Sequence, residues 1–386
     1  MEIADKVASL IFSKYDEIDK KGKPEAGREW TLLSGFVFEL NGNFKVVSLA
    51  TGTKCLGKSQ VCQKGTTVND SHAEVLARRG LIRYLLFEVK ETKQTTSSFV
   101  FTGISPGGKC VFKNGLKLHF FTSHVPCGDA SIIDMPVEKI GEKRVLNDEK
   151  ELNKEAKRIK LDIHRTGAKP LKHSPIQDPK QEGQNYHKRG AVRTKPGRGD
   201  PTDSLSCSDK IARWIFTGVQ GALLSHLVDR NLHINSVIIG GGCQYDEIII
   251  KGSLVGRALC ASSPSFYQSR FVFKDSKQAT KAQKPCPKSI IWTLVNGEQH
   301  IEVGVEGRKL GATKKNWLKS CLTISRRELF KEFLSVGGEK FIKMSYKEVK
   351  NSADDYKKLS DKFKCLMGTW AVDKSQMQNF SISTLD

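Results

Sequence analysis

Two short stretches near the N-terminus alternate hydrophobic and polar side chains, which predicts a β-hairpin. The segments 36–40 and 44–49 flank Asn41-Gly42, a dipeptide typical of tight two-residue hairpin turns. A second hairpin is predicted around Asn296-Gly297, between segments 290–295 and 301–305. Further hydrophobic runs of strand length are 98–102, 118–122 and 236–240.

Helical periodicity is clearest after His72, where apolar residues recur three and four positions apart through residue 86. Because strands and helices follow one another as β-β-α-β-α, the pattern predicts an α/β fold. Other helices are predicted over 1–14, from Cys127 onward, and over 209–228, 326–334 and 345–365.

Residues 139–200 differ from the rest of the chain. They are charged, rich in Pro, Gly and His, and poor in aliphatic periodicity, apart from a possible short helix over 149–161. Lys and Arg outnumber Asp and Glu there, so we predict a flexible basic insertion that approaches RNA phosphates. We predict that residues 1–386 otherwise form one catalytic domain, since the candidate motifs are spread along the whole chain.

The net charge of +21 and the isoelectric point near 9.5 indicate a nucleic acid or another polyanion as partner. The sequence shows neither a signal peptide nor an apolar run of membrane-spanning length. Its ten cysteines do not resemble an extracellular disulfide framework. We therefore predict an intracellular protein, in the nucleus, the cytoplasm or both, with thiols that are free or bound to metal.

Candidate metal ligands lie in three separated motifs. His72-Ala73-Glu74 opens the periodic helix, and Pro126-Cys127 follows the aromatic run 117–122. Zinc nucleobase deaminases carry an H-x-E and a P-C-x-x-C signature, but here Ala130 occupies the position of the second cysteine. A catalytic zinc ion needs three protein ligands, and we choose Cys207 as the third. Spacing alone supports Cys207 weakly, because free cysteines are commonly small buried hydrophobes.

Glu74 is predicted to be the proton carrier and not a ligand. Side chains two positions apart on a helix point in nearly opposite directions, so His72 and Glu74 share a site only at the first turn. Asp70-Ser71 supplies capping chemistry for that start. Zinc would make water nucleophilic near neutral pH, and Glu74 would carry its proton to the ring nitrogen and the leaving ammonia. An isolated H-x-E also occurs by chance in many chains.

Longer motifs resemble the adenosine deaminases that act on RNA. The resemblance implies a cytidine-deaminase-like, three-layer α/β/α fold with a mixed central sheet, zinc-dependent conversion of adenosine to inosine, and Cys207 as the third ligand. The stretches that carry it are Ser48–Cys55, Asn69–Arg79, Ser206–Trp214 and Gly218–Gly221.

Within that family, Gly22–Trp30 and Lys195–Asp200 are similar to the tRNA branch. This implies action on the adenosine 3′ of the anticodon of alanine tRNA, by a monomer. Motifs that begin by residue 22 also leave no room for the duplex-binding domains of the other branch. Arg198 stands where duplex editors have a glutamate that fills the gap left by the flipped base. We predict that it contacts RNA, although an ordinary polar turn is the alternative.

The resemblance further implies a buried inositol hexakisphosphate and a relay from Asp70 through Lys195, with Gln220 and Lys210, to that ligand. Ser360 stands where duplex editors have a lysine, and the stretch from Tyr356 to Trp370 is shorter, so outer contacts can differ. The alternative is a solvated basic face for tRNA. The residues that match family contacts are Asn69, Arg78, Arg79, Lys210, Arg213, Lys314, Tyr346, Lys350, Tyr356 and Trp370.

Two other functions remain open from sequence. One is a duplex-RNA adenosine editor, and the other is a catalytically silent RNA-binding paralogue with the same fold. The presence of His72, Glu74, Cys127 and Cys207 argues against the silent paralogue, because pseudoenzymes often lose the glutamate.

Overall fold

An eight-stranded mixed sheet forms the centre of the computed structural model, with the strand order β14-β13-β8-β2-β3-β16-β17-β18. The strands β8, β13 and β14 are parallel to one another, whereas β2, β3, β16, β17 and β18 pair antiparallel with their neighbours. The bounds of these strands are β2 Leu33–Leu40, β3 Asn43–Thr51, β8 Lys117–Thr122, β13 Ser236–Ile239, β14 Ser265–Gln268, β16 Lys288–Val295, β17 Glu298–Val305 and β18 Arg308–Lys309. The structure describes residues 2–134, 163–164, 167–178, 187–196, 200–258, 260, 263–313, 315–316, 320–368, 370 and 378–382.

Helices cover both faces of the sheet, and the expected α/β fold with a mixed central sheet is confirmed. The helices are α1 Ile3–Asp16, α2 Ala73–Thr95, α3 Cys207–Thr217, α4 Gly221–Ser225, α5 Glu247–Leu254, α6 Lys277–Thr280, α7 Arg326–Gly337, α8 Tyr346–Asn351 and α9 Asp354–Leu366. Short two-stranded pairs add β1 Glu29–Trp30 with β15 Lys284–Pro285, β4 Thr53–Cys55 with β5 Asp70–His72, β6 Phe101–Ile104 with β7 Cys110–Phe112, β9 Ile133–Asp134 with β10 Ile163–His164, and β11 Lys169–Pro170 with β12 Arg193–Thr194.

Alternation along the strands divides the core into two layers. Phe36 and Phe120 belong to the core on the side of α2, whereas their neighbours Val37 and Phe121 pack in the core on the side of α1. Successive side chains of a strand point to opposite faces, so strands that are apolar at both positions must be covered on both sides. None of the helices in the described part of the chain has the length and apolar character needed to cross a membrane.

Both predicted hairpins are present. Asn41 and Gly42 have φ values of 51° and 77°, and Asn296 and Gly297 repeat them at 51° and 77°. Positive φ at both central residues is the geometry that Asn-Gly supports best, and its twist matches that of the flanking strands. The turns therefore set the register of β2 with β3 and of β16 with β17.

Four segments differ from the sequence predictions. The predicted helix from Cys127 is wrong, because a single 3-10 turn at Asp129–Ser131 leads into β9. Gly128 causes this bend, since its φ is 101° and a Cβ atom there would lie 2.3 Å from Ser206 Oγ. The predicted helix over 209–228 is interrupted at Gly218, whose φ is 85°. Segment 345–365 forms two helices, and the strand predicted over 98–102 begins at Phe101.

Candidate metal centre and active site

One imidazole and two thiols converge at the ends of three elements. His72 ends β5 and caps α2, Cys127 follows β8, and Cys207 is the first residue of α3. Their candidate ligand atoms all lie within 4.8 Å of one another. Cys207 Sγ is 3.6 Å and Cys127 Sγ 4.0 Å from His72 Nδ1. The structure thus brings together the three ligands proposed from sequence.

Local pairing explains how these residues reach one point. β5 pairs with β4, with His72 opposite Thr53, and this pairing holds the start of α2 beside the central sheet. Ser206 accepts a hydrogen bond from the Asp209 backbone N–H and so caps α3. The Cys207 backbone N–H points at Cys127 Sγ over 3.3 Å. A helix start favours thiolate, because unpaired N–H groups carry partial positive charge.

The two thiols have opposite pKa shifts. A hydrogen bond from Cys207, together with nearby Lys195 and His72, holds the pKa of Cys127 well below its ordinary value. Burial and the neighbouring Cys127 raise the pKa of Cys207. One of the two thiols therefore loses its proton easily. Loss of the proton from the second thiol is favoured only when another cation lies nearby. Two thiolates and one imidazole are ligands that zinc prefers, so the donor set fits a catalytic zinc site with one open position.

Glu74 lies in the first turn of α2, is 2 % exposed and has one carboxylate oxygen, Oε2, without a hydrogen-bond partner among the described residues. A buried polar atom is normally hydrogen-bonded, and an exception calls for a specific cause. Glu74 acts electrostatically on both Cys207 and Lys195, which places its charge beside the cluster. Its free oxygen is suited to exchange a proton with a substrate or a water molecule.

Behind the cluster, a single carboxylate gathers several donors. Asp70 accepts two hydrogen bonds from Lys195 Nζ, at 2.9 and 2.8 Å, and a third from the His72 backbone N–H at 3.0 Å. Lys210 also pairs with Asp70. Burial by itself would raise the pKa of Asp70, but Lys195 and Lys210 hold it well below its ordinary value. Lys195 Nζ in addition donates to Cys207 Sγ at 3.2 Å, so this network reaches a metal ligand directly.

Two residues change the predicted relay. Ser204, which sequence reasoning missed, donates to Asp70 Oδ2 at 2.7 Å and accepts from Lys210 Nζ at 2.8 Å. A lone serine six residues before the lysine carries no recognisable signal. Gln220 instead bonds to Ser225, to Asn231 and to the Leu232 backbone N–H, so it secures the turn after α3.

A second cluster consists of partly buried cations. Burial, together with the nearby Arg326, lowers the pKa of Arg79 to about 10. Burial also lowers the pKa of Lys350 to about 7, with added repulsion from Arg213, Arg326 and Arg78. No ion pair joins these five side chains to a carboxylate within the described residues. Sequence reasoning named four of the five and missed Arg326.

This cluster, which we call the cationic pocket, has groups that fit a polyanion. Arg213 Nε and Arg326 Nη1 are buried without a partner in the part of the chain that the structure describes. Although burial raises the pKa of Tyr356, Arg213 and Arg78 lower it below its ordinary value. Buried donors without acceptors are costly, and several phosphate groups would satisfy them.

Three other predicted contacts lie in the described part of the chain. Tyr346 has Lys350 Nζ 5.3 Å from the centre of its ring, and Trp370 packs edge-on against Phe363. Asn69 precedes Asp70 at the start of β5, and its carbonyl accepts from the Leu56 N–H. The predicted sites at Lys314 and Arg198, and most of the insertion 139–200, lie outside the described residues.

Comparisons with known proteins agree with this geometry. The adenosine-deaminase (editase) domain matches residues 48–373. The chain is 31 % identical to the human (Homo sapiens) tRNA-specific adenosine deaminase 1, over 86 % of this chain and 88 % of that protein. It is 35 % identical to the protein of that name from Drosophila melanogaster, over 86 % and 81 %. The Double-stranded RNA-specific editase Adar of Drosophila melanogaster is 25 % identical, over 98 % of this chain and 55 % of that protein. The chain therefore belongs to the adenosine-deaminase (editase) family, and it is an adenosine deaminase.

Proposed function

We propose that this protein hydrolyses adenosine to inosine in tRNA with the help of zinc. One observation carries the proposal: His72, Cys127 and Cys207 offer three ligand atoms within 4.8 Å of one another, beside the buried, partly unpartnered carboxylate of Glu74. A metal site with one open position and an adjacent general base suits hydrolysis of an exocyclic amine.

His72, Cys127 and Cys207 would hold a zinc ion, which would supply the Lewis acidity that makes water nucleophilic near neutral pH. Glu74 takes one proton from the attacking water and delivers it to N1 of adenine. The water oxygen bonds to C6, Glu74 carries the second proton to the exocyclic nitrogen, and the C6–N bond breaks. The products are inosine and ammonia, so the atoms balance.

Lys195 and Asp70 act on the ligands and not on the substrate. Asp70 accepts the His72 backbone N–H and fixes the point where α2 begins. Lys195 donates to Cys207 Sγ and offsets part of the charge of the two thiolates. Lys195 is 2 % and Asp70 6 % exposed, so both side chains lie in the interior of the protein.

The substrate class rests on the relatives and on charge. The human and Drosophila relatives that the chain matches over more than four fifths of their length are named tRNA-specific, and the net charge of +21 suits a tRNA backbone. We propose the adenosine 3′ of the anticodon of alanine tRNA as the target, acted on by a monomer in the nucleus or cytoplasm. An anticodon-loop base is unpaired, so the enzyme spends little free energy on extracting it from a helix.

For the cationic pocket we propose inositol hexakisphosphate as the bound polyanion. Support comes from four partly buried arginines and Lys350, which the described residues do not neutralise with a carboxylate. Six phosphate groups on a compact ring can accept hydrogen bonds from all of them.

The test measures inosine in three RNAs: full-length alanine tRNA, its anticodon stem-loop and a long perfect duplex. Conversion confined to intact tRNA, next to the anticodon, is the expected result, whereas preferred conversion of the duplex would identify a duplex editor. In parallel, Glu74→Gln should lower turnover by about 10²- to 10⁴-fold while zinc content and tRNA affinity stay unchanged. Normal turnover of Glu74→Gln would remove its role in proton transfer, and no conversion by wild-type protein would favour the silent paralogue.

A further inference from the structure

A buried arginine connects the two loops that carry the metal-binding cysteines. Asp129 and Asp209 stand two positions after Cys127 and Cys207, and both carboxylates are buried, at 2 % and 0 % exposure. Arg257, in the turn after α5, lies between them. Its Nη1 is 2.8 Å from Asp209 Oδ1, and its Nε is 3.7 Å from Asp129 Oδ2.

The other oxygens of the two carboxylates hold a third segment. Asp129 Oδ1 accepts the Gly190 backbone N–H at 2.8 Å, and Asp209 Oδ2 accepts that of Arg193 at 2.9 Å. Arg257 Nη1 also donates to the Ala191 carbonyl at 3.2 Å. Two residues after Arg193, Lys195 reaches Cys207 Sγ. Three chain segments thus meet at one guanidinium group.

We propose that Arg257 is a positioning residue for the metal site, which holds the Cys127 loop, the start of α3 and the Lys195 segment at the separation that metal binding requires. The inference rests on the proposed metal site. Arg257 contacts the carboxylates of Asp129 and Asp209 and not the proposed metal ligands, so it acts through those carboxylates.

The physical reason is charge balance with a defined span. Without the guanidinium group, two buried carboxylates beside two thiolates would repel each other, and the cysteine loops would separate. A lysine retains one positive charge, but its single ammonium group cannot reproduce the planar, several-donor contact of arginine. Residues that orient metal ligands from behind commonly change metal affinity by about 10- to 100-fold when they are replaced.

The experiment measures metal binding in Arg257→Lys. Metal-free protein is titrated with Co²⁺, whose visible absorption reports ligand geometry, and zinc affinity is measured by competition with a chromophoric chelator. All measurements are made at a temperature where circular dichroism shows each variant folded. We expect zinc affinity about tenfold weaker or more, with altered Co²⁺ bands. Asp129→Asn is the second variant, since it removes one charge and keeps an acceptor for the Gly190 N–H.

Arg270→Lys is the matched control. Arg270 also holds a buried carboxylate through two nitrogen atoms, with Nε 2.8 Å and Nη2 2.7 Å from Asp5 Oδ2, in a part of the chain remote in sequence from the three ligands. Its zinc affinity should equal that of the wild type. Unchanged affinity and Co²⁺ bands in both Arg257→Lys and Asp129→Asn would overturn the inference, even if thermal stability falls. Failure of the wild-type protein to bind one zinc ion would instead refute the proposed metal site.

Discussion

The network around Asp70 is buried and the cationic pocket is partly buried, and the two regions differ in how their charges are balanced. Asp70 is surrounded by donors from the chain itself, among them Lys195 at 2.8 Å, Lys210 and Ser204. In the cationic pocket, Arg78, Arg79, Arg213, Arg326 and Lys350 have no carboxylate partner within the described residues. The charges of the first region are paired within the chain, whereas those of the second are not paired with a carboxylate of the described residues.

This difference appears in the direction of the pKa shifts. Lys195 is buried, yet the carboxylate of Asp70 raises its pKa well above its ordinary value. Lys350 is partly buried, and burial together with the neighbouring arginines lowers its pKa to about 7. Burial opposes the charged form of both lysines, so the partner decides the sign. A lowered pKa is expected for a lysine whose charged neighbours are cations and whose charge no carboxylate of the described residues balances.

The largest effect is expected when the network of charges around Asp70 is disrupted. Lys195→Met leaves Asp70 and Cys207 without their main cation and should lower the free energy of unfolding by about 3–5 kcal/mol. The measurement is urea denaturation followed by circular dichroism. Lys58→Met is the control, because the ion pair of Lys58 with Asp203 is 2.9 Å long but largely exposed, and its loss should cost about 0–1 kcal/mol. Equal losses in the two variants would contradict the assignment of Lys195 to a buried network.

The second-largest effect is expected when a polyanion binds in the cationic pocket. Inositol hexakisphosphate at about 100 times its Kd should stabilise the ligand-free protein by about 2.7 kcal/mol. Because the pKa of Lys350 is about 7 in the folded protein against 10.5 ordinarily, the unfolded chain binds one more proton between these values. Without ligand, stability should therefore rise with pH through that window and change little below it.

Binding of the polyanion should return the missing proton to Lys350. Calorimetric titrations near pH 8.5 in buffers of different ionisation enthalpy should show uptake of about one proton. Lys350→Met should bind the ligand more weakly and take up no proton. Equal proton uptake by the wild type and Lys350→Met would show that another group titrates.

The smallest effect concerns Ser360, which contacts Arg213 of the cationic pocket. Arg213 Nη2 donates to Ser360 Oγ at 2.9 Å, at the position where the sequence differs from the duplex editors. Ser360→Ala should weaken polyphosphate binding by about 1 kcal/mol, or about fivefold, since one hydrogen bond is lost. Binding is measured by the same calorimetry. Ser335→Ala, which removes an exposed hydroxyl bonded to its own helix, should leave affinity unchanged.

Local chemistry made much of the fold predictable. Asn41-Gly42 and Asn296-Gly297 specify hairpin turns by themselves, because few residues accept positive φ at two consecutive positions. The apolar periodicity after His72 predicted α2, and the structure shows a helix over Ala73–Thr95. The prediction failed at Gly128, where the reason is a contact with Ser206, 78 residues away along the chain.

In the candidate site, too, some residues could be predicted from the sequence and others could not. His72, Glu74, Cys127 and Cys207 were named from motifs, since metal and proton chemistry restricts residue type and spacing. The sequence did not point to Ser204, Arg326 or Arg257. Serine and arginine are common residues, and their roles depend on the side chains that they contact in the folded protein. Gln220 was predicted in the relay and instead secures a turn.

The sequence by itself determined which residues can perform the chemistry, where the chain turns, and which family the protein resembles. Only the tertiary structure decided which buried charges are paired. Asp70 meets Lys195 across 125 positions, and Arg257 meets Asp129 across more than a hundred. Pairing energies depend on distances of a few ångströms in a medium of low polarity, and sequence separation contains no such distances.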